Sequence, residues 1–286
     1  MITQEQFEKE LEIIIENAIR EDIGEGDHSS LACIPPEATG KAQLLVKDDG
    51  ILAGVAFARM VFEKIDAELT MEVRINDGAF VRYGDVAFTV SGRSQSILKA
   101  ERLVLNAMQR MSAIATKTHR YVEILADLHT QILDTRKTTP GIRALEKWAV
   151  RIGGGTNHRF ALYDMIMLKD NHIDFAGGIE QAIVKTNKYL KDNDLDLKIE
   201  IETRNLKEVE EVLRIGQVNR IMLDNFNYED LRKAVKMING RFETEASGGI
   251  TEETLRKYAE CGVDFISSGA LTHSVSNMDL SLKAVD

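Results

Sequence analysis

The chain has only two cysteines in 286 residues, Cys33 and Cys261. There is no CxxC pair and no Cys/His cluster at zinc spacing. That excludes a disulfide scaffold and a structural zinc site, and it fits a reducing cytosol. No apolar run is long enough to span a membrane. The opening ITQEQFEKELEIIIENAIRED is amphipathic and acidic, without the basic n-region and unbroken apolar core of a signal peptide. The expected location is therefore cytoplasmic. Positive charge is in deficit as well: 36 Lys and Arg against 46 Asp and Glu give a formal net charge of −10. Such a chain is a poor nonspecific binder of nucleic acid. Several catalytic signatures are also missing. No G-x-G-x-x-G follows a strand, no P-loop of the GK[ST] kind occurs, no thiol sits in a basic setting, and no Ser–His–Asp spacing stands out.

Against this acidic background one stretch is basic. From Thr135 to Tyr163 there are six Lys and Arg (Arg136, Lys137, Arg143, Lys147, Arg151, Arg159) and a single acid, Glu146. His158, Lys169 and His172 extend the positive character. A local island of this kind points to an anion pocket, the plain alternative being a solvated basic helix face.

The pattern of the chain places the island. Phe7, Leu11, Ile14, Ile15, Ala18 and Ile19 recur at helical spacing. EDIGEGDHSS reads as a loop in which Asp27 or Ser29 caps the segment after it, and the isolated His28 reads as structural. Gly40 to Val90 reads as short strands, GILAGVA among them, punctuated by turn pairs such as Asp77-Gly78 and Gly84-Asp85. Its turn grammar is like that of biotinyl and lipoyl carrier domains, but neither Lys47 nor Lys64 sits at a hairpin tip, so the region reads as scaffold. Ser96 to Arg120 reads as a helix with the apolar stripe Ile97, Leu98, Val104, Leu105, Met108, Met111 and Ala115.

Beyond it the grammar becomes βα repeats. Six apolar runs end in polar residues: QILDTRK, MIMLKDNH, KIEIET, RIMLDN, RFETEASGG and DFISSGA. Glu202, Asp224, Ala246 and Ser268 follow one another at steps of 22 residues, the length of one strand, one helix and two short loops. Repeated βα units imply a parallel sheet with right-handed crossovers, and the expected fold is an α/β, open or incomplete TIM-like barrel.

The mouth of such a barrel collects the strand ends. Arg136 and Arg159 can fork onto carboxylates or phosphates, and Lys137 and Lys169 supply compact charge. Gly248, Gly249 and Gly269 let backbone N–H groups approach a phosphate, the plain alternative being turn chemistry. Glu202 and Asp224 suit sugar hydroxyls or Mg²⁺. Together they suit a phosphosugar and a second, multiply anionic molecule.

The motifs DTRKTTPGIR, GGGTNHR and LKDNH, followed by IEIET, MLDNF, EASGGI and SGALTHS, with EDIGEGD and ERLVLN before them, stand in the order seen in quinolinate phosphoribosyltransferases. The chain resembles that type II phosphoribosyltransferase family over nearly its whole length. The resemblance implies an N-terminal α/β sandwich domain, residues 1–112 completed by the tail 274–286, and an α/β barrel catalytic domain, residues 113–273. It implies transfer of phosphoribosyl from phosphoribosyl pyrophosphate (PRPP) to quinolinate with Mg²⁺, giving nicotinate mononucleotide, pyrophosphate and CO₂ in NAD biosynthesis. It further implies a homodimer, or a hexamer, with shared sites. By motif, Lys137, Lys169, Glu202 and Asp224 would be catalytic. Arg102 would be lent by the neighbouring chain. Arg136, His158 and Arg159 would grip the quinolinate carboxylates, with Lys137 and Lys169 between substrate and phosphates, and Thr135 would also bind substrate. Ser247, Gly248, Gly249, Ser268, Gly269 and His273 would hold the 5′-phosphate end, and Ala270 would also bind substrate. No direct metal ligand is assigned, Mg²⁺ arriving with PRPP near Glu202 and Asp224. One departure is Ser268, where relatives often carry an apolar residue. Two rivals stand beside this reading: a related enzyme acting on another aromatic acid, and a non-catalytic phosphosugar-binding barrel.

Overall fold

The computed structural model describes residues 2–285. The first half of the chain runs α1 (Gln4–Asp22), α2 (His28–Cys33), β1 (Thr39–Val46), β2 (Gly50–Ile51), α3 (Val55–Ile65), β3 (Thr70–Val73), β4 (Phe80–Val81), β5 (Val86–Arg93) and α4 (Ser94–Ile124). Then come β6 (Gln131–Leu133), α5 (Arg143–Ile152), β7 (Ile166–Leu168), α6 (Asp170–Ala176), α7 (Ile179–Asp192), β8 (Ile199–Thr203), α8 (Leu206–Ile215), β9 (Arg220–Asp224), α9 (Tyr228–Ile238), β10 (Glu243–Ser247), α10 (Glu252–Ala259), β11 (Phe265–Ser267), α11 (Ala270–His273) and β12 (Leu280–Val285).

Two compact units result. One comprises residues 3–119, 138–154 and 271–285; the other comprises residues 120–137 and 155–270. The segment 138–154, which carries α5, therefore packs with the first half of the chain.

The first unit is built on the antiparallel sheet β12-β1-β5-β3. The end of the chain completes it, with Leu44 opposite Leu282 and Val46 opposite Leu280. Inward-facing Ala42, Leu44 and Val46 alternate with more exposed neighbours along β1, the period of a half-buried strand. Helix α1 begins at a capping box in which Thr3 and Gln6 satisfy each other's backbone amides. Its Phe7 ring meets Trp148 of α5 edge-on at 5.5 Å. Asp27 caps α2. The expected strand at GILAGVA is a correction. Only Gly50 and Ile51 are strand, and Val55–Ile65 is helix α3. Val55, Ala58, Val61 and Phe62 are buried at helical spacing, so a run too apolar to show its period is settled by packing. Gly153 ends α5 where a Cβ would collide with the Ala115 carbonyl of α4.

The second unit is a six-stranded parallel sheet in the order β6-β11-β10-β9-β8-β7, with no seventh strand closing it among the described residues. All six expected strands and the helices between the later ones are present. Asn205 and Asn227 cap α8 and α9 through side-chain oxygens, so each helix starts within a few residues of the strand before it. One face of the sheet is apolar: Ile199, Ile201, Ile221, Leu223, Ala246 and Ile266 are buried there. The other face is charged. Two-residue alternation puts Glu200 and Glu202 of β8, Arg220 and Asp224 of β9, and Glu245 and Ser247 of β10 on it together. Barrel interiors are ordinarily filled by branched apolar side chains, so this charged face sets the unit apart.

Candidate active site

The site residues of the parallel unit are held by local anchors. Asp134, fully buried after β6, accepts hydrogen bonds from the backbone N–H of His158 at 2.8 Å and from Asn157 Nδ2 at 2.5 Å. The amide of Asp134 in turn donates to the Thr156 carbonyl, and that of Thr156 to Ile132. The connection 155–159 is thereby laid along β6, which brings two distant parts of the sequence together. Thr135 turns the chain at this point by accepting the Lys137 N–H through Oγ1 at 3.0 Å.

Arg136 and Arg159 are the electrostatic centre of this corner. Arg159 is buried and donates to the Met165 carbonyl at 3.2 Å. Its pKa is pushed down, first by burial and then by the like charge of Arg136. The Nε of Arg136 is itself buried and has no hydrogen-bond partner. Two mutually repelling guanidinium groups, one with an unsatisfied donor, cost free energy unless an anion lies against them. A single unsatisfied buried donor is worth about 1–3 kcal/mol.

The acids lie on the neighbouring strand ends. Glu202 has its pKa raised, first by burial and next by the charge of Asp224, with Lys169 pulling the other way. Lys169, Glu202 and Asp224 therefore share one electrostatic environment at the C-terminal edge of the sheet. Lys169 stands at the start of α6, and its backbone N–H donates to His172 Nδ1 at 3.1 Å. Asn225 donates to Asp224 at 2.6 Å and adopts a left-handed φ of 56°. Gly248, at φ 102°, passes so close that a Cβ would collide with Asn225 Oδ1. That position requires glycine on both counts. Gly249, also at positive φ, has open space where a Cβ would be. Ser247 ends β10, and Gly269 and Ala270 follow β11. Ser268 sends its backbone N–H to the Leu133 carbonyl at 3.0 Å, and its side chain bonds to the Tyr121 hydroxyl. Its hydroxyl belongs to the packing behind the loop, which settles why a polar residue is tolerated there.

Some of the expected residues belong to the other unit. Arg102, on α4, and His273, whose Nδ1 is 2.7 Å from Ser274 Oγ, are both exposed and belong to the antiparallel unit. The basic island also divides. Arg136, Lys137 and Arg159 are in the parallel unit, while Arg143, Lys147 and Arg151 lie on α5 in the other. Lys147 is 2% exposed, and Glu146 beside it is fully buried, meeting Arg110 at 2.8 Å and the Thr139 N–H at 3.0 Å. Of the three on α5 only Lys147 is packed away; Arg143 is half-buried and Arg151 exposed.

His158 is buried, and its ring turns into the barrel. Nε2 lies 2.9 Å from Glu200 and 3.3 Å from Glu245, both fully buried. The two glutamates pull the ring's pKa up against the larger opposing effect of burial. Nδ1 accepts the backbone N–H of Arg159 at 2.6 Å, a bond that requires an unprotonated Nδ1 and so opposes that lift. Arg220 completes the group at 3.1 Å from Glu245 and 4.0 Å from Glu200, with its guanidinium over the Phe265 ring at 4.1 Å. Burial, and after it Glu245, raise Glu200 to about 7. Glu200, Glu245 and Arg220 are absent from the sequence-based site. The signal for them was alternation: each glutamate stands two residues before a mouth residue and so faces the same way.

Comparison with known proteins identifies the family. Residues 27–112 match the model of the quinolinate phosphoribosyl transferase N-terminal domain, and residues 114–283 match that of its C-terminal domain. The chloroplastic nicotinate-nucleotide pyrophosphorylase [carboxylating] of Arabidopsis thaliana is 48% identical over 291 residues, covering 96% of this chain and 82% of that protein. The probable enzyme of that name from Synechocystis is 41% identical, covering 93% and 90%. Among solved structures, NadC from Streptococcus pyogenes superposes with a TM-score of 0.89 at 38% identity, covering 100% of this chain and 99% of that one. The chain belongs to the quinolinate phosphoribosyltransferase family.

Proposed function

We propose that the chain transfers phosphoribosyl from PRPP to quinolinate with decarboxylation, yielding nicotinate mononucleotide, pyrophosphate and CO₂ for NAD biosynthesis. The observation that carries this is the Arg136–Arg159 pair, a buried guanidinium beside a half-buried one of like charge whose Nε is itself buried and unsatisfied. A planar dicarboxylate offers each guanidinium an oxygen pair and relieves both costs at once. The Glu202–Asp224 pair suits the ribose. Burial and Asp224 make Glu202 reluctant to ionise. Positive charge growing at the anomeric carbon as the bond to pyrophosphate breaks stabilises both carboxylates, more in the transition state than in the ground state. The ring nitrogen of quinolinate then bonds to that carbon and pyrophosphate leaves. Lys137 and Lys169 offset the charge on the leaving group. The ring, now a pyridinium, withdraws electrons, so the adjacent carboxylate departs as CO₂ and a proton takes its place. The paired oxygen donors of Glu202 and Asp224 also fit Mg²⁺ carried in by PRPP, which would neutralise pyrophosphate.

The glycine-bearing loops after β10 and β11, with Ser247, Gly248, Gly249, Gly269 and Ala270, would take the 5′-phosphate through backbone N–H groups, helped by His273. We assign the working form as a homodimer in which Arg102 of a second chain completes each site. We assign it to a reducing, cytosolic setting in keeping with two unpaired cysteines. No helix among the described residues is long and apolar enough to cross a membrane. Turnover of quinolinate with PRPP and Mg²⁺, followed as nicotinate mononucleotide and CO₂ in equal amounts, tests the reaction. Turnover of nicotinate in preference to quinolinate, or of neither, overturns it. Mixing Arg102→Ala chains with Lys169→Ala chains tests the shared site: partial recovery of activity is expected, and none counts against sharing.

A further inference from the structure

The stretches assigned to PRPP around Lys137 and His273 share one buried ion pair. The segment 134–142, which carries Lys137, belongs to no helix or strand, so its shape rests on side-chain anchors. On one side Thr135 Oγ1 accepts the Lys137 N–H at 3.0 Å. On the other, Glu146 of α5 takes two bonds from Thr139, the backbone N–H at 3.0 Å and the hydroxyl at 2.8 Å. Thr138 is held as well, its hydroxyl accepting Arg143 Nε at 2.9 Å. Glu146 is fully buried although Thr139 is exposed. A carboxylate so placed is tolerated only when it is paired and hydrogen-bonded. Arg110 of α4 supplies the pairing, with Nε at 3.0 Å and Nη2 at 2.8 Å from Glu146 Oε1.

The same guanidinium has a second use. Its Nη2 also donates to the Thr272 carbonyl of α11. The last carbonyls of a helix find no partner within it, and Arg110 answers this one just before His273. Just beyond His273, Lys117 of α4 donates to the Ser274 carbonyl at 2.7 Å. Helix α4 thus fixes the backbone on both sides of His273, and through Glu146 it fixes the loop that follows Lys137. Arg110, Lys117, Thr139, Glu146 and Thr272 all lie in the antiparallel unit. We propose that Arg110 and Glu146 are positioning residues for PRPP: one ion pair sets the Lys137 loop for the pyrophosphate and His273 for the 5′-phosphate, without touching either. The quinolinate corner is anchored elsewhere, by the ties of Asp134 to the connection 155–159 and of Arg159 to the Met165 carbonyl. The pair is therefore expected to act on one substrate and spare the other. This deepens the reading proposed above and rests on it for the identity of the phosphates.

The test uses the full chain. Glu146→Gln keeps the volume, but its amide has one acceptor oxygen where the carboxylate has two, so either Arg110 or the Thr139 N–H loses its partner. Arg110→Lys keeps the charge and loses the fork that reaches both Glu146 and Thr272. A rise of about tenfold in KM for PRPP is expected in each, the size of one hydrogen bond to a charged group, with KM for quinolinate within about threefold. Should these substitutions impair folding, the exposed Thr139→Ala removes one bond to Glu146 and is expected to raise KM for PRPP by about threefold. Unchanged KM for PRPP, or an equal rise for both substrates, overturns the proposal. A mutant cycle separates positioning from plain support. Added to a chain that carries Lys137→Ala and His273→Ala, Arg110→Lys is expected to change kcat/KM for PRPP by less than about threefold, and a further loss of about tenfold overturns the proposal. Hydrogen exchange over residues 134–142, read by mass spectrometry, needs no turnover. Faster exchange in Glu146→Gln and Arg110→Lys than in the parent is expected, and unchanged exchange contradicts the anchor. If the parent fails to turn over quinolinate with PRPP, the function reading falls, and the exchange result still decides whether the pair holds the loop.

Discussion

Glu200 and Glu202 are two residues apart on β8 and face the same side of the sheet, yet their surroundings differ in kind. Glu202, half-buried at the edge, shares its space with another acid, Asp224, and with Lys169. Its charge is only partly matched within the chain, which is the condition for binding something cationic or turning cationic. Glu200, fully buried one step deeper, is matched by a histidine and an arginine. The same residue type is used for reaction at the mouth and for architecture below it. Whether partners for the charge lie within the chain is what separates the two, because an unmatched buried charge is too costly to keep for packing alone.

The largest effect that could break this contrast is on stability. Arg220→Ala leaves Glu200 and Glu245 buried without their guanidinium and is expected to cost about 3–5 kcal/mol, read as a lower urea midpoint. Glu202→Gln is expected to leave the midpoint within about 0.5 kcal/mol, as for a site outside the packed core. Next in size, Lys169→Ala and Lys137→Ala should each lower kcat by about 100-fold, near 2.7 kcal/mol of transition-state stabilisation, with the urea midpoint unchanged. Near-wild-type turnover in both removes the lysines from the chemistry.

A smaller effect concerns pH. Burial, and after it the charge of Glu245, push the Glu200 pKa above the ordinary glutamate value of 4.5 and toward about 7. Between those two values the folded form binds the extra proton and the unfolded chain does not, so stability falls as pH rises. Glu200→Gln should flatten this stretch of the urea-midpoint profile relative to the parent, and an unchanged slope would place the proton elsewhere. The smallest effect sharpens the phosphate end. Ser268→Ala removes the hydroxyl that meets Tyr121 and should cost about 1 kcal/mol of stability with kinetics unaltered. A raised KM for PRPP instead would return that side chain to the phosphate loop.

The six strands were legible because each apolar run was short, bounded by turn residues, and ended in polar groups at a constant interval. The mouth residues were legible for the same reason: a polar group at a strand end has few structural uses. Three features were not. Val55–Ile65 hid its helical period in a nearly continuous apolar run. The basic island suggested one pocket, yet α5 carries half of it into the other unit, where Glu146 and Lys147 are buried. The lower cluster was hidden because Glu200 and Glu245 sit in strands beside mouth residues of the same type, and only the close approach of His158 and Arg220 shows that their charges are answered. Sequence order can place an acid on a face, but it cannot say whether a partner arrives there from another strand.

The contrast between the two layers is tested most directly by kcat at saturating quinolinate and PRPP for Glu202→Gln and Glu200→Gln, measured side by side. The predicted result is a loss of about 100-fold or more for Glu202→Gln and a change within about threefold for Glu200→Gln. Equal losses in the two variants, or a larger loss at Glu200, would contradict a reacting layer set upon an architectural one.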